Sequence, residues 1–318
     1  MKRLFKIEET PRRGLLLLEW TVVAYIVFSL LQMWHIGSAL AHPYDMFWGR
    51  MRMLAVIIGM WAVYRLVPCR FTMALRVFIQ LAMLGWWYPD TYELNRSLNN
   101  LDHLFAQAEQ WIFGCQPSLE FSARMPWPVL SELLDVGYVS YYPMMVAVML
   151  LFFFYRYEEF ARCSFVVLTS FFLYYVIFDL LPVAGPTFYF QAIGLENAMQ
   201  GHFPAIGNYF DTHRECMQLP GFSDGIGYWM VEIAHLAGER PTAAFPSSHV
   251  GVATVCMLLS VHGRARKLFT VLLPFYVLLC FATVYIQAHY AVDAIAGLIT
   301  GTLFYFLLMW VSRRETTV

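Results

Sequence analysis

Apolar stretches about as long as a bilayer is thick recur along this chain, and they leave few other ways to fold it. They fall at roughly 15–40, 51–67, 71–88, 136–155, 163–183, 247–262, 268–288 and 291–312. The pattern predicts an all-α polytopic membrane helix bundle of about eight transmembrane spans, embedded in the bilayer. Composition agrees, because the chain is 59% hydrophobic and only 14% charged, against about 25% charged in soluble domains. A formal net charge of -1 provides no basic field, so no nucleic-acid partner is expected. The cysteines (69, 115, 163, 216, 256 and 280) show no C-x-x-C spacing, which argues against a zinc ribbon or a thioredoxin-like pair.

The N-terminus carries a basic cluster, then an apolar run from Leu15, then Ala39-Leu40-Ala41, which mimics an export-signal cleavage site. The run is longer than the roughly 7–15 residues of a signal core, so it is expected to stay as an anchor. Basic residues concentrate on the cytoplasmic side of membrane proteins. With the N-terminus inside, Lys2, Arg3, Lys6, Arg12, Arg13, Arg65, Arg70, Arg156, Arg162, Arg264, Arg266, Lys267, Arg313 and Arg314 are cytoplasmic. Arg50, Arg52, Arg96, Arg124, Arg214 and Arg240 are then outside, and Arg76 lies within a span. Both termini are therefore expected in the cytoplasm.

Two long segments, 89–135 and 184–246, fall on the outer side in that arrangement. In the first, Leu94, Leu98, Leu101, Phe105, Ala108 and Ile112 follow steps of three and four, which predicts one amphipathic helix lying flat on the membrane. The second is dense in Gly and Pro and rich in aromatic residues, which predicts a structured loop or lid without long regular elements. Cys115 and Cys216 lie in these segments and could pair in an oxidising compartment.

Two motifs carry chemistry. Arg240-Pro241-Thr242-Ala243-Ala244-Phe245-Pro246-Ser247-Ser248-His249 runs directly into an apolar helix. Backbone N–H groups and the positive end of a helix dipole attract phosphate there, Ser247 and Ser248 add hydroxyls, and His249 can protonate a leaving oxygen. The second motif is His289-Tyr290-Ala291-Val292-Asp293. Residues four apart share a helical face, so Asp293 can accept a hydrogen bond from one nitrogen of His289 and leave the other as a nucleophile. One span runs inward from His249 and the next returns to His289, which places both histidines at the outer membrane face. A metal held by two histidines and one aspartate has no second cluster in support, and no cofactor is implied. A different reading makes His249, His289 and Asp293 a proton relay or ligand site in a transporter or lipid-binding membrane protein; inverted repeats would favour it, and none is evident.

These residues resemble the phosphatidic acid phosphatase type 2 superfamily, whose middle motif is P-S-G-H and whose last motif ends in H-x-x-x-D. They stand here as Pro246-Ser247-Ser248-His249 and His289 to Asp293. Within it the chain is most similar to the inositol phosphorylceramide synthase branch. Phe245 before Pro246, His289-Tyr290 with Asp293 and Ala296-Gly297, Pro182-Val183-Ala184-Gly185-Pro186, and Leu101-Asp102 with Phe113-Gly114 and Pro117 carry that similarity. The resemblance implies a lipid phosphatase or phosphotransferase. His289 would form a phosphohistidine, Asp293 would orient it, His249 would protonate the leaving alkoxide, and Ser247 and Ser248 would hold phosphate oxygens. The donor would be a phospholipid or polyprenyl phosphate, and the acceptor water or a lipid alcohol such as ceramide.

The superfamily's basic residues are missing. Gly185-Pro186-Thr187 stands where its first motif has basic residues, and Ala282-Thr283 where its last motif has Ser-Arg. Arg240, Arg214 and Thr187 are the remaining candidates for contact with phosphate, and the loss suits a phosphodiester, which carries less charge. The expected organisation is 1–94 for the N-terminal spans, 95–312 for the catalytic membrane domain and 313–318 for a cytoplasmic tail. The expected location is a bacterial inner membrane or a Golgi-type membrane, with the site on the periplasmic or lumenal side.

Overall fold

A computed structural model describes residues 4–315, and in it the chain is a bundle of α-helices. Lys2, Arg3 and residues 316–318 of the expected tail lie outside the described residues. The centre of the bundle is α8 (Phe160–Leu180), which is apolar on every face and therefore finds its stable place inside. The hydroxyls of Ser164 and Ser170 turn back onto the carbonyls of Phe160 and Val166, which satisfies them within the apolar interior. On one side α8 meets α1 (Leu17–Ile36) and α3 (Arg70–Asn95), with α2 (Pro43–Leu66) beyond them. On the other side lie α7 (Tyr141–Tyr155), α12 (Ser248–His262) and α14 (Ala291–Val311), with α13 (Arg266–Tyr285) packed against α12.

The eight expected spans are only partly met. Among the described residues, five helices are long and apolar enough to cross a membrane: α1, α2, α8, α13 and α14. A sixth is obtained when α6 (Pro128–Val139) and α7, bent by 45° at Ser140, are read as one span. The expected span at 71–88 is a longer helix, α3, that carries charge at both ends and in its middle. The one at 247–262 is α12, whose 15 residues rise about 22 Å, short of a hydrocarbon core of about 30 Å.

Two arginines buried inside the bundle are paired with carboxylates. Arg76 of α3 grips Glu19 of α1 through Nε at 2.7 Å and Nη2 at 2.5 Å, both side chains being fully buried. Arg50 grips Asp90 through Nη2 at 2.6 Å and Nη1 at 3.2 Å. Two-pronged pairing is what lets a guanidinium sit away from water. Arg50 and Arg52 thus lie within α2, which begins at Pro43, and not in an outer loop as the charge count expects.

Two further expectations are corrected. The flat amphipathic helix is shorter than its periodicity suggests: Leu94 belongs to the last turn of α3, a turn follows, and α4 spans Asp102–Phe113, with α5 (Pro117–Arg124) after it. The loop at 184–246 contains α9 (Pro186–Ile193), α10 (Leu195–Met199) and the 13-residue α11 (Ile226–Gly238). Its glycines terminate these helices instead of preventing them; Gly194 (φ 83) separates α9 from α10. Cys115 and Cys216 are both free thiols.

Candidate active site

Glycines set the geometry of the site by letting α12 and α14 cross in near-contact. A Cβ on Gly301 would stand 2.3 Å from the carbonyl oxygen of Gly251, and one on Gly297 would stand 2.5 Å from that of Ser247. Such close approach is the use of small residues between membrane helices. It brings the start of α12 against the first turn of α14, where the Ser247 N–H donates to the Asp293 carbonyl at 3.0 Å. Ser247 is the N-cap of α12, and its Oγ accepts from the Val250 N–H at 3.4 Å.

The connection from α13 to α14 is equally constrained. Gln287 takes a left-handed conformation (φ 64), its carbonyl accepts from the Thr187 N–H at 3.0 Å, and the His289 N–H donates to the Thr283 carbonyl at 3.0 Å. Gly185 (φ 95) lies against this turn, where a Cβ would come within 2.7 Å of the Ala288 carbonyl oxygen. Only glycine combines that φ with that clearance.

His249 and His289 therefore meet, their ring centroids 5.8 Å apart and nearly edge to face. His249 is held between two tyrosines that the bend at Ser140 places on either side: Tyr138 stacks at 4.7 Å and Tyr141 at 4.6 Å. Its Nδ1 is buried without a hydrogen-bond partner. His289 Nδ1 donates to the Ala244 carbonyl at 2.7 Å. A carbonyl can only accept, so the proton is on Nδ1 and the lone pair is on Nε2. Burial lowers the pKa of His289 to about 4, against the opposing pull of the Ala244 carbonyl and of the Glu239 charge. The ring is thus neutral at pH 7 and has the form of a nucleophile.

The expected hydrogen bond from His289 to Asp293 is replaced by the one to Ala244. Asp293 Oδ2 lies 3.7 Å from Nδ1 and accepts from the Tyr290 N–H at 2.8 Å. The i to i+4 spacing holds, but the turn before α14 points the carboxylate at its own helix end. Asp293 holds the turn that carries His289.

Two acids of α4 complete the floor, and neither was assigned a role from the sequence. The buried Asp102 carboxylate accepts from the Ala184 N–H at 2.6 Å, the Gly185 N–H at 2.8 Å, the Asn100 amide at 2.5 Å and the Tyr290 hydroxyl at 3.0 Å. It ties the turn after α8 to the residue that follows His289. Burial raises its pKa although all four bonds favour the charged form. Glu109 caps α14, its Oε1 accepting from the Ala291 and Val292 N–H groups, while Oε2 has no partner. Burial lifts Glu109 to about 8, and the Asp293 charge adds to the rise.

That shift has a consequence for stability. The folded protein holds a proton on Glu109 that an ordinary glutamate, near 4.5, would release. The contribution is full below that value and is lost as pH rises through about 8. Glu109→Gln keeps the acceptor oxygen and removes the titration. Its melting temperature in detergent is therefore expected to exceed wild type by roughly 3 °C or more above pH 8, with the gap closing toward pH 5. Parallel melting curves across that range would contradict the assignment.

The remaining expected site residues separate into two groups. Ser248 lies beside the histidines, its carbonyl accepting from the Tyr141 hydroxyl at 3.4 Å. Thr187 is near them through its backbone bond to Gln287, with its hydroxyl turned to the Met217 carbonyl at 3.5 Å. Arg240 donates to the Glu239 carbonyl at 2.8 Å. Arg214 leans on Tyr92, donating to its hydroxyl at 3.2 Å, with Glu93 3.8 Å away. Among the described residues, no arginine or lysine is hydrogen-bonded to or paired with His249, His289 or Asp293.

No curated protein and no solved structure matches the chain. Residues 102–307, nearly two thirds of the chain, match the PAP2 superfamily, and both histidines, Asp293, Asp102 and Glu109 lie within the match. The chain belongs to the PAP2 superfamily and is a phosphatase-type membrane enzyme of lipid phosphoesters.

Proposed function

We propose that the protein cleaves a lipid phosphodiester through a phosphohistidine on His289 and passes the phosphoryl-bearing head group to a lipid alcohol or to water. The observation that carries this is the fixed tautomer of His289. Its Nδ1–H is committed to a carbonyl, so a neutral Nε2 lone pair faces the reaction. In the first half-reaction Nε2 attacks phosphorus, the bond to the leaving alkoxide breaks, and His249 gives that oxygen its proton. The negative charge of the bound phosphate is what raises the proton affinity of His249 for this step. Ser247, Ser248 and the positive end of α12 receive the phosphate oxygens.

The absence of arginine or lysine on the histidine pair supports a phosphodiester over a monoester, since a single negative charge needs less compensation. A cavity of about 380 Å³ supports a lipid substrate. Phe121 of α5 and Met125 just after it, Phe281 and Val284 of α13, and Ala291 at the start of α14 line it, and Ala291 is two residues from His289. Basic residues such as Arg65, Arg70, Arg156 and Arg266 lie at the opposite helix ends from the site, which supports a periplasmic or lumenal active face with cytoplasmic termini. In this reading 95–312 is the catalytic unit and 1–94 adds spans beside it. Inositol phosphate is the head group that the sequence resemblance favours, with a ceramide-like alcohol as acceptor.

The test is to incubate purified protein with labelled polyprenyl diphosphate, phosphatidic acid, or phosphatidylinositol with ceramide. An acid-labile, base-stable phosphoryl label on His289, with phosphatidylinositol the best donor, is expected. No label from any of these lipids would sink the proposal, and would leave the proton-relay reading of the cluster.

A further inference from the structure

A third histidine, His235, stands one tyrosine away from His249 with the equipment of a base. His235 and Glu239 are four residues apart, from α11 into the segment that leads to His249, and Glu239 Oε2 lies 2.9 Å from His235 Nδ1. A carboxylate at that distance fixes the tautomer, so the lone pair is on Nε2. Nε2 is itself buried and has no partner. The His235 ring meets the edge of Tyr138 at 6.2 Å and 90°, and the face of Tyr138 stacks on His249. The Glu239 charge is also felt at His289. One tyrosine thus separates the acid of the first half-reaction from a carboxylate-oriented imidazole that the mechanism has not used.

The helix that carries His235 is suited to a lipid. Ile226, Trp229, Met230, Ile233 and Leu236 form an exposed apolar stripe at helical spacing, whereas Tyr228 and Val231 are buried against α6 on the same side as His235. Glu132 of α6 anchors the start of the helix by accepting from the Gly227 N–H at 3.0 Å and the Tyr228 N–H at 3.3 Å. The exposed stripe suits the membrane interface, with His235 on the side turned to the protein.

We propose that His235, oriented by Glu239, is the base that takes the proton from the hydroxyl of an acceptor lipid alcohol in the second half-reaction. This rests on the phosphohistidine reading above. The acceptor O–H proton goes to His235 Nε2 while the acceptor oxygen bonds to phosphorus. The bond from phosphorus to His289 Nε2 breaks, and its electron pair returns to the imidazole. Glu239 stabilises the resulting imidazolium. Water, being small, is served by His249, which is neutral after giving up its proton; an alcohol on a bulky lipid approaches along α11 and meets His235 first.

The experiment measures transfer against hydrolysis in the full-length protein in detergent, with labelled phosphatidylinositol as donor and ceramide, diacylglycerol or a polyprenol as acceptor. His235→Gln is expected to lower the ratio of transfer to hydrolysis about 100-fold, the low end of what a positioned base contributes. Glu239→Gln, which leaves the imidazole in place, is expected to lower it about tenfold. An unchanged ratio in His235→Gln overturns the proposal, as does an equal fall of both products. If His235→Gln does not elute as a folded species, an unchanged ratio in Glu239→Gln overturns it. Wild-type protein that forms the phosphohistidine yet transfers to none of these alcohols refutes the role of His235 alone. Wild-type protein that forms no phosphohistidine refutes the reading beneath it.

Discussion

His289→Ala is expected to reduce turnover on any lipid phosphoester by about 10⁴-fold or more and to abolish the covalent phosphoryl label, while the protein still elutes and melts as a folded bundle. The size of the effect follows from losing the atom that bonds to phosphorus, since enzymes stripped of a nucleophile lose rates in this range. Folding is expected to survive because the side chain makes one hydrogen bond, from Nδ1 to the Ala244 carbonyl, and leaving that carbonyl without a partner costs about 1–3 kcal/mol. The pH dependence of labelling in the wild type gives the same assignment independently. His289 has a pKa lowered to about 4, so the attacking lone pair is present above that value. Labelling should therefore hold through neutrality and fall as pH drops through about 4. A His289→Ala protein that still acquires label would show that another residue is the nucleophile.

What was legible in the sequence is what depends on short spacing. Pro246-Ser247-Ser248-His249 before an apolar run, and His289 four residues before Asp293, each specify local geometry at a helix start, and the structure keeps both. The meeting of the two histidines was legible as well, because two consecutive antiparallel helices return the chain to the same end of the bundle. The partner of His289 was not. The Ala244 carbonyl lies 45 residues away, and every residue has a carbonyl, so nothing in the sequence marks this one. Tyr138 and Tyr141 were hidden for a related reason: in a chain with 18% aromatic residues, two tyrosines flanking a histidine look like core filling.

The charged groups were misplaced where tertiary pairing overrides composition. Arg50 counts as a loop arginine until Asp90 is found 2.6 Å away inside the bundle. Arg214 and Arg240 were phosphate candidates only by being outside, and each has a nearer acceptor. His235 illustrates the converse. Its spacing from Glu239 is the same as that of His289 from Asp293, so the signal was present in the sequence. It was passed over because the surrounding glycines and prolines read as loop, and α11 was not expected there.

Asp102→Ala is expected to be the most damaging single change to the fold around the site, lowering stability by about 3–5 kcal/mol and activity with it. Among the described residues, the carboxylate is the only acceptor for two buried backbone N–H groups, those of Ala184 and Gly185, in a turn packed against Ala288. Each donor left unsatisfied costs about 1–3 kcal/mol, and the Asn100 amide and Tyr290 hydroxyl lose a partner too. Asp102→Asn separates charge from shape. Its amide keeps one acceptor oxygen for the backbone but turns an N–H toward donors, so it should recover less than half of the loss. Activity should fall further than stability alone requires, because Tyr290 is bonded to Asp102 through its side chain and joined to His289 through its backbone. Releasing it frees the imidazole that the Ala244 carbonyl then holds alone. Differential scanning fluorimetry in detergent reads the first effect, and the rate of phosphohistidine formation at a temperature where the variant remains folded reads the second. An Asp102→Ala protein with wild-type melting would show that the four hydrogen bonds are replaceable, and one with reduced melting but wild-type labelling would confine Asp102 to the scaffold.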